Sequence, residues 1–473
     1  MMDSMPPPQP SRPERDAGAE RRVVMKFGGT SVRDADALDR LCHIVRSDTR
    51  RRLVVVSALS GVTDQLVDLA NRATDGESEA LSKTIEALRT RHVDLATARA
   101  AGEERDALIC AIDAACDELR ALVHAVAVLR ELSPRSADAI TGLGETMSSR
   151  VVVAALGASG VSAQWIDAKD LLVTDGTHGR AQPDTPATTA RARDALVPLL
   201  DGGTTVVMGG FVGATSAGVG TTLGRGGSDY SAAIFGAILG VDEIQIWTDV
   251  DGMLTADPRL VPGAQLVPTL TFGEASELAY FGAKVLHPAT IQPAVAKGIP
   301  VRIVNARRPD GRGTSIHAQP RGAGSAIAAI ASKDGLTVIE IASARMLMAH
   351  GFLRRLFEVF DRFETAVDVV TTSEVNVSVT IDDPTHIAAL VAELSTFAEV
   401  STEPNMALLC VVGERLHDDP GLFAQTVGAL GNVTCRMVSE SASRRNLTFV
   451  LHERELPLAM TRLHDHFFAS VEA

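Results

Sequence analysis

The chain has 473 residues, of which 45% are hydrophobic and 22% charged, and its formal net charge is −14. That length suits roughly three domains of ordinary size, and the composition suits a soluble globular protein with real cores. The acidic balance without a long basic run argues against nucleic acid as a partner, no apolar run reaches membrane-spanning length, and five scattered cysteines without a C-x-x-C pair read as reduced cytoplasmic thiols.

Residues 1–22 are rich in Pro and Arg, carry Asp3, Glu14, Asp16 and Glu20, and lack the apolar core of a signal peptide. They read as a disordered tail. Arg22-Val23-Val24-Met25-Lys26-Phe27 reads as a strand, followed by Gly28-Gly29-Thr30-Ser31 and a helix through Leu38, Leu41, Ile44 and Val45. A lysine just before a Gly-Gly turn can set its ammonium among phosphate oxygens while backbone amides bind the same anion. An edge-strand lysine beside a turn is the alternative, and the Walker A spacing is absent. Residues 53–58 form a continuous apolar run suited to a strand buried on both faces. A small-residue turn and a helix from about Asp64 follow. This repeated strand, turn and helix is the rhythm of a parallel sheet, whose ligands bind beyond the carboxyl ends of the strands. Ser57 and Thr63 fall at that edge, either as hydroxyl ligands or as turn and cap residues.

Residues 64–132 read as a helical layer with a solvated charged face. Glu145 follows Thr141-Gly142-Leu143-Gly144 at a helix start, where the dipole favours a carboxylate. Residues 161–167 read as a strand, and residues 204–213 as another running into glycines. Then comes Thr221-Thr222-Leu223-Gly224-Arg225-Gly226-Gly227-Ser228-Asp229-Tyr230, leading into a small, apolar helix. Glycines let amides approach an anion, Arg225 suits a bidentate clamp on a carboxylate, and Asp229 suits an ammonium. The alternative is a glycine hairpin before a helix capped by Ser228 or Asp229. Residues 243–248 read as a strand ending in Thr248-Asp249. Asp251, Asp257, Arg259 and Lys284 follow on loops, a composition that suits a nucleotide with its Mg²⁺ or a salt-bridge network. His287 before Pro288 reads as a capping or packing residue.

Four strings stand in order: 26–31, 222–229, Trp247-Thr248-Asp249-Val250, and Phe281-Gly282-Ala283-Lys284-Val285-Leu286-His287-Pro288-Ala289. Together they resemble the aspartokinases of the amino-acid kinase superfamily, and the resemblance runs from about Val23 to the end of the chain. It implies an α/β amino-acid kinase fold over 23–318 and phosphoryl transfer from MgATP to the β-carboxylate of L-aspartate. It implies that Lys26 neutralises the transferring phosphoryl group and that Asp229 organises the site, holding the substrate or the lysine. Glu145, Arg225, Ser57, Thr63 and Ser228 would bind aspartate. Gly28, Gly29, Ser31, Thr248, Asp249, Arg259, Lys284 and Val285, with Lys26, would bind ATP. No protein-held metal is implied, only Mg²⁺ carried by the nucleotide. Close relatives often carry Tyr where this chain has Leu254, which puts a nucleotide contact there in question.

After the Pro/Gly stretch 308–313 the pattern changes to short strands and helices. Strands read at 326–331, 337–342, 367–371, 375–381, 407–412, 435–439 and 447–451, with helices at 352–363, 386–397, 422–430 and 456–468. Two β-α-β-β-α-like units suggest an internal duplication. Over 326–473 the chain resembles a pair of ferredoxin-like ACT domains, at about 335–400 and 401–473, the second completed by 326–331. The strings 346–353 and 367–375 look most like those of lysine-sensitive members. The resemblance implies an L-lysine site made of Met346, Gly351, Phe352, Leu353, Asp368, Thr372, Ser373 and Glu374, and a homodimer or homotetramer built through these domains. Ala349 and Ala366 replace polar residues common in relatives, which implies weaker sensitivity. The chain ends without a dehydrogenase domain, so the monofunctional form is expected. Two rivals remain. A kinase for another carboxylate, such as N-acetylglutamate, would lack the paired sensing modules. A non-enzymatic sensor would dispense with Lys26 or Asp229.

Overall fold

The computed structural model describes residues 21–76, 78–282, 288–318, 326–343, 346, 350–440 and 443–469. The chain divides into two compact units, Met1–Gly252 with Leu286–Gln319, and Met253–Val285 with Pro320–Ala473. The expected N-terminal domain over 23–318 is therefore interrupted, because residues 253–285 pack with the C-terminal part. Ala256 and Val261 are buried in a core with Leu409, Phe449 and Leu463. The Ile330 amide donates to the Thr255 carbonyl at 2.8 Å, and the Thr255 hydroxyl hydrogen-bonds His464 Nε2 at 2.9 Å.

The first unit opens with β1 (Arg22–Phe27), α1 (Ala35–Ser47), β2 (Arg51–Val56) and α2 (Val62–Ala73). Asp34 starts α1 by accepting the Ala37 amide at 2.8 Å. The helical layer is α3 (Glu79–Arg99), capped by Ser78, and α4 (Gly102–Leu129). Then come α5 (Pro134–Thr141), α6 (Leu143–Ala158), β3 (Ala163–Trp165), α7 (Ala168–Leu171), β4 (Val173–Thr174) and α8 (Thr185–Asp201). β5 (Thr205–Gly209), β6 (Val212–Thr215), β7 (Gly220–Thr222), α9 (Gly227–Leu239) and β8 (Glu243–Thr248) follow. The chain passes through the second unit in β9 (Thr269–Thr271) and α10 (Phe272–Tyr280), then returns with α11 (Gln292–Ala296), β10 (Val301–Asn305) and β11 (Thr314–His317).

Across the first unit's main sheet the order is β3-β5-β2-β1-β8-β10-β11. All these pairs are parallel except β10 with β11. The central strands are Val-, Ile- and Leu-rich and almost wholly buried, because helices cover both faces. Register sets up the chemistry. Phe27 lies opposite both Val56 and Trp247, and Val56 opposite Gly209. Gly28, Ser57, Gly210 and Thr248 therefore emerge along one carboxyl edge. A second sheet, β4-β6-β7, stands apart from the main sheet within this unit.

In the second unit β12 (Ile327–Ala342), α12 (Phe352–Arg362), β13 (Val370–Thr372), β14 (Asn376–Ile381), α13 (Ile387–Leu394), β15 (Glu399–Gly413), α14 (Pro420–Leu430), β16 (Cys435–Glu440), β17 (Asn446–His452) and α15 (Leu456–Phe468) build one sheet with its helices. Its order is β13-β14-β12-β15-β17-β16, with antiparallel pairing throughout. The strands read at 326–331 and 337–342 are a single 16-residue strand. Register shifts around Lys333, Leu336 and Val338 absorb the Asp334-Gly335 break instead of ending the strand. β15 likewise crosses the boundary read near residue 400. Two cores result. Ile339, Phe360, Val377 and Leu390 fill one, and Ile330, Leu409, Phe449 and Leu463 the other.

Among the described residues no helix is long and apolar enough to cross a membrane.

Candidate active site

The carboxyl edge of the main sheet gathers the polar side chains that its register delivers. Lys26 is the penultimate residue of β1, and its Nζ lies 2.7 Å from Asp229 Oδ1. Asp229 stands in the first turn of α9 and enters at a helix N-terminus, where its charge is favoured. Both side chains are nearly buried, at 11% and 13% exposure. The contact is an ion pair by distance, and Asp229 Oδ1 forms no hydrogen bond among the described residues. The α9 cap is Gly226, at φ 71, without a side-chain cap bond, so neither Ser228 nor Asp229 caps the helix.

Glu145 sits in the first turn of α6 and is buried. One oxygen accepts the Ala58 amide at 3.2 Å; the other, Oε2, has no hydrogen-bond partner among the described residues. Burial pushes this carboxyl up to about 8, against the pull of the Ala58 amide and the Lys26 charge. A cation placed against the open oxygen would favour the ionised form and offset the cost of burial. Two glycines make the close packing possible. A Cβ on Gly209 would sit 2.9 Å from Glu145 Cβ, and one on Gly210 would sit 2.7 Å from Ser228 Cα. The N-terminal turns of α6 and α9 thus close onto the end of β5.

Ser57 follows β2, and its carbonyl accepts the Ser148 hydroxyl at 2.8 Å. Thr63 is half-buried in the first turn of α2, and Ser228 is buried in that of α9. Arg225 is exposed, and no carboxylate among the described residues pairs with it. Gly28 donates its amide to the Trp247 carbonyl at 3.0 Å, and Ser31 Oγ donates to the same carbonyl at 3.3 Å. The Phe27 and Trp247 rings stack behind them with centroids 6.0 Å apart. Thr248 Oγ1 donates to Asp249 Oδ1 at 3.3 Å on the exposed rim. Lys284 and Val285, with His287, lie outside the described residues. Arg259 and Leu254 belong to the second unit. There Arg259 is exposed and folded onto Asp257, with its amide 2.8 Å from Oδ1, while Leu254 bridges to Leu266.

Two residues at this edge escaped the sequence reading. Buried Asn305 ends β10 in register with Thr248. Its Nδ2 donates to Asp251 Oδ1 at 2.7 Å and to the Asp249 carbonyl at 3.4 Å, fixing the Thr248–Asp251 turn together with the Arg308–Asp251 ion pair. Phe211 follows the glycine pair and holds φ 66, a left-handed conformation that costs about 1–3 kcal/mol for a bulky residue. Its amide donates to Ser231 Oγ at 3.0 Å, and its carbonyl accepts the Leu223 amide at 2.9 Å. The sequence signal for Phe211 was the glycine pair before it; Asn305 had none short of knowing the register.

The residues read as an effector site form a separate patch in the second unit. Asp368 accepts Lys333 Nζ at 2.9 and 3.0 Å, and Lys333 also meets Asp382 at 2.7 Å. The Tyr280 hydroxyl lies 3.4 Å from Asp368 Oδ1. Gly351, at φ 85, caps α12. Phe352 packs edge-on to Phe397, centroids 5.8 Å apart, and Met346 joins the same core, so both serve packing here. Leu353, Thr372, Ser373 and Glu374 are exposed, with Ser373 Oγ accepting the Asn376 amide at 3.1 Å.

Comparison with known proteins finds relatives for both parts of the chain. Residues 21–305 match the model of the amino acid kinase family, and residues 409–467 match an ACT domain. The lysine-sensitive aspartokinase 3 of Escherichia coli is 36% identical over 94% of this chain and 99% of its own length. The aspartokinase of Schizosaccharomyces pombe is 32% identical over 93% of this chain and 92% of its own. The crystal structure of E. coli aspartokinase III in complex with aspartate and ADP (R-state) superposes with a TM-score of 0.81 at 35% identity, covering 94% of this chain and 99% of that one. The same enzyme in complex with lysine and aspartate (T-state) gives the same score and coverage.

Proposed function

The chain belongs to the amino acid kinase family and is an aspartokinase; from that premise we propose how its residues divide the reaction. A β-carboxylate oxygen of L-aspartate attacks the γ-phosphorus of ATP. The new P–O bond forms, the bond to the β,γ-bridging oxygen breaks, and ADP leaves with that electron pair, giving 4-phospho-L-aspartate. The attacking carboxylate is already ionised, so positioning and charge stabilisation carry the catalysis without a general base. Lys26 neutralises the charge spread over the transferring phosphoryl group, and Asp229 fixes that ammonium. Glu145 receives the substrate's ammonium, Arg225 clamps a carboxylate, and Ser57, Thr63 and Ser228 line the pocket. Gly28, Gly29, Ser31, Thr248 and Asp249 bind the nucleotide. The same role for Arg259, Lys284 and Val285 is proposed on the resemblance alone.

The observation that carries this reading is the nearly buried Lys26–Asp229 pair beside a buried Glu145 oxygen that has no partner among the described residues. A folded protein tolerates such an atom where a ligand completes it. Mg²⁺ would add positive charge across the phosphates. Among the described residues no group of three or more His, Cys, Asp or Glu stands ready to hold a metal ion. Asp229 is engaged by Lys26, and Asp251 by Asn305 and Arg308. In this reading Mg²⁺ arrives with the nucleotide, carried on its phosphates.

Lysine inhibition through the Asp368 patch is supported by the lysine-sensitive relative. A homodimer or homotetramer through the ACT domains, in a cytoplasmic setting, completes the reading. The test is hydroxylamine trapping of acyl phosphate from L-aspartate with MgATP, with and without L-lysine. Hydroxamate that needs both L-aspartate and MgATP and vanishes in Lys26→Ala is the expected result. A folded chain that makes none would overturn the assignment of roles.

A further inference from the structure

We propose that Asp138 is a positioning residue for the aspartate half of the site, tying the helix that carries Glu145 to the turn that carries Arg225. The inference rests on the reading that those two side chains hold aspartate.

Asp138 lies in α5 and is 5% exposed. A carboxylate so deep is costly unless donors surround it, and three converge here. Thr222 Oγ1 donates to Oδ1 at 2.5 Å, His178 Nδ1 to Oδ2 at 2.7 Å, and the Gly179 amide reaches both oxygens at 3.0 and 3.1 Å. The donors come from places far apart in sequence. Thr222 ends β7, three residues before Arg225. His178 and Gly179 belong to the loop between β4 and α8. That loop seats under the same turn, because the Ala181 amide donates to the Thr222 carbonyl at 2.9 Å. Gly224, at φ 79, comes so close that a Cβ there would stand 2.8 Å from the Gly179 carbonyl.

On its other side Asp138 is bound to the Glu145 helix. Its carbonyl accepts the Gly142 amide at 3.0 Å, and Gly142 is the residue at which α5 passes into α6. Glu145 stands in the first turn beyond. The carboxylate thus anchors the turn before Arg225 to α5, and the backbone of α5 runs on into the helix that carries Glu145. None of its contacts is to a residue assigned to the nucleotide. The carboxylate accepts from all three at once, whereas an amide's NH₂ would oblige the Thr222 hydroxyl or the His178 ring to reverse its role.

The experiment uses the full chain and the hydroxamate assay, with KM for aspartate and for MgATP measured separately. Asp138→Asn and Thr222→Val should each raise the aspartate KM by about tenfold, the scale of one lost charge-assisted hydrogen bond. The MgATP KM should stay within about twofold, because positioning here acts on one substrate. Thr222→Ser, which keeps the donor, should recover most of the loss. An aspartate KM unmoved in Thr222→Val overturns the inference, as does a parallel loss for both substrates with a lowered melting midpoint, the mark of a purely structural role. Arg225→Ala separates the two levels. If it leaves the aspartate KM unchanged, the underlying reading falls and the inference with it. If it raises that KM while Asp138→Asn and Thr222→Val do not, the inference alone falls.

Discussion

Both units bring a lysine against an aspartate, and the surroundings make the two pairs opposite in character. Lys26 and Asp229 are nearly buried and stand beside Glu145, whose Oε2 has no partner among the described residues. Asp368, 9% exposed, has both oxygens engaged by Lys333, whose ammonium also meets Asp382. The first arrangement leaves polar capacity unfilled at a cost of about 1–3 kcal/mol for a buried group. The second fills itself. A site with unfilled capacity gains on binding a charged ligand, whereas a self-paired cluster must release a partner first. This contrast supports our proposal that the first unit's edge takes the substrate and the Asp368 patch a ligand that competes with an internal cation.

The largest expected effect falls on the buried pair. Lys26→Ala should lower kcat by about 10²–10³-fold, the range for losing one preorganised group that faces developing charge. The melting midpoint and the MgATP dependence of kcat should be recorded together, because the same change strands Asp229. Lys333→Ala should leave kcat within about twofold in the absence of lysine, as expected for a partly exposed pair. Equal damage from both changes would break the contrast between the two pairs.

Glu145→Gln comes next. The amide keeps the volume but loses the charge offered to an ammonium, so the aspartate KM should rise by roughly ten- to a hundredfold with the MgATP KM little changed. Wild-type pH dependence sharpens the same point. Burial first, opposed by the Ala58 amide and the Lys26 charge, sets the Glu145 carboxyl at about 8 in the free protein. An ammonium pairs with the ionised form, so below that pH aspartate binding must expel a proton. The aspartate KM should fall about tenfold per unit as pH rises from 6 toward 8, then level off. Glu145→Gln should flatten this limb. A flat wild-type profile would mean that Glu145 is not the ammonium's partner.

Much of this was legible in the chain because local pattern and register agree. Runs such as 53–58 followed by glycine turns announce parallel strands, and three of the four motif strings fall on or beside strand ends, while the fourth follows α10 and runs through 283–287, outside the described residues. What escaped was long-range. Asp334-Gly335 reads as a turn, yet β12 runs through it because β14 and β15 hold it on either side and shifted register takes up the break. Nothing local in 253–285 says that Ala256 and Val261 are buried beside Leu463. Asn305 and Asp138 matter through partners 54–56 and 40–84 residues away, respectively. No spacing rule reaches that far.

The smallest expected effect is the sharpest test of the second pair. If L-lysine inhibits by placing an amine on Asp368, it must displace Lys333 Nζ. The wild-type inhibition constant then includes the cost of breaking that contact. Lys333→Met keeps much of the stem that packs there and removes the competing charge, leaving Asp368 and Asp382 unneutralised. Inhibition by lysine should then tighten by roughly two- to fivefold, the value of a partly exposed ion pair, while kcat without lysine stays put. Lys333→Arg, which preserves the pair, should behave like wild type. The sign is what discriminates. Competition predicts tighter inhibition on removing the cation. If Lys333 instead holds Asp368 in the geometry that the effector needs, the same change weakens inhibition, and the patch is then preorganised by its own lysine and not blocked by it.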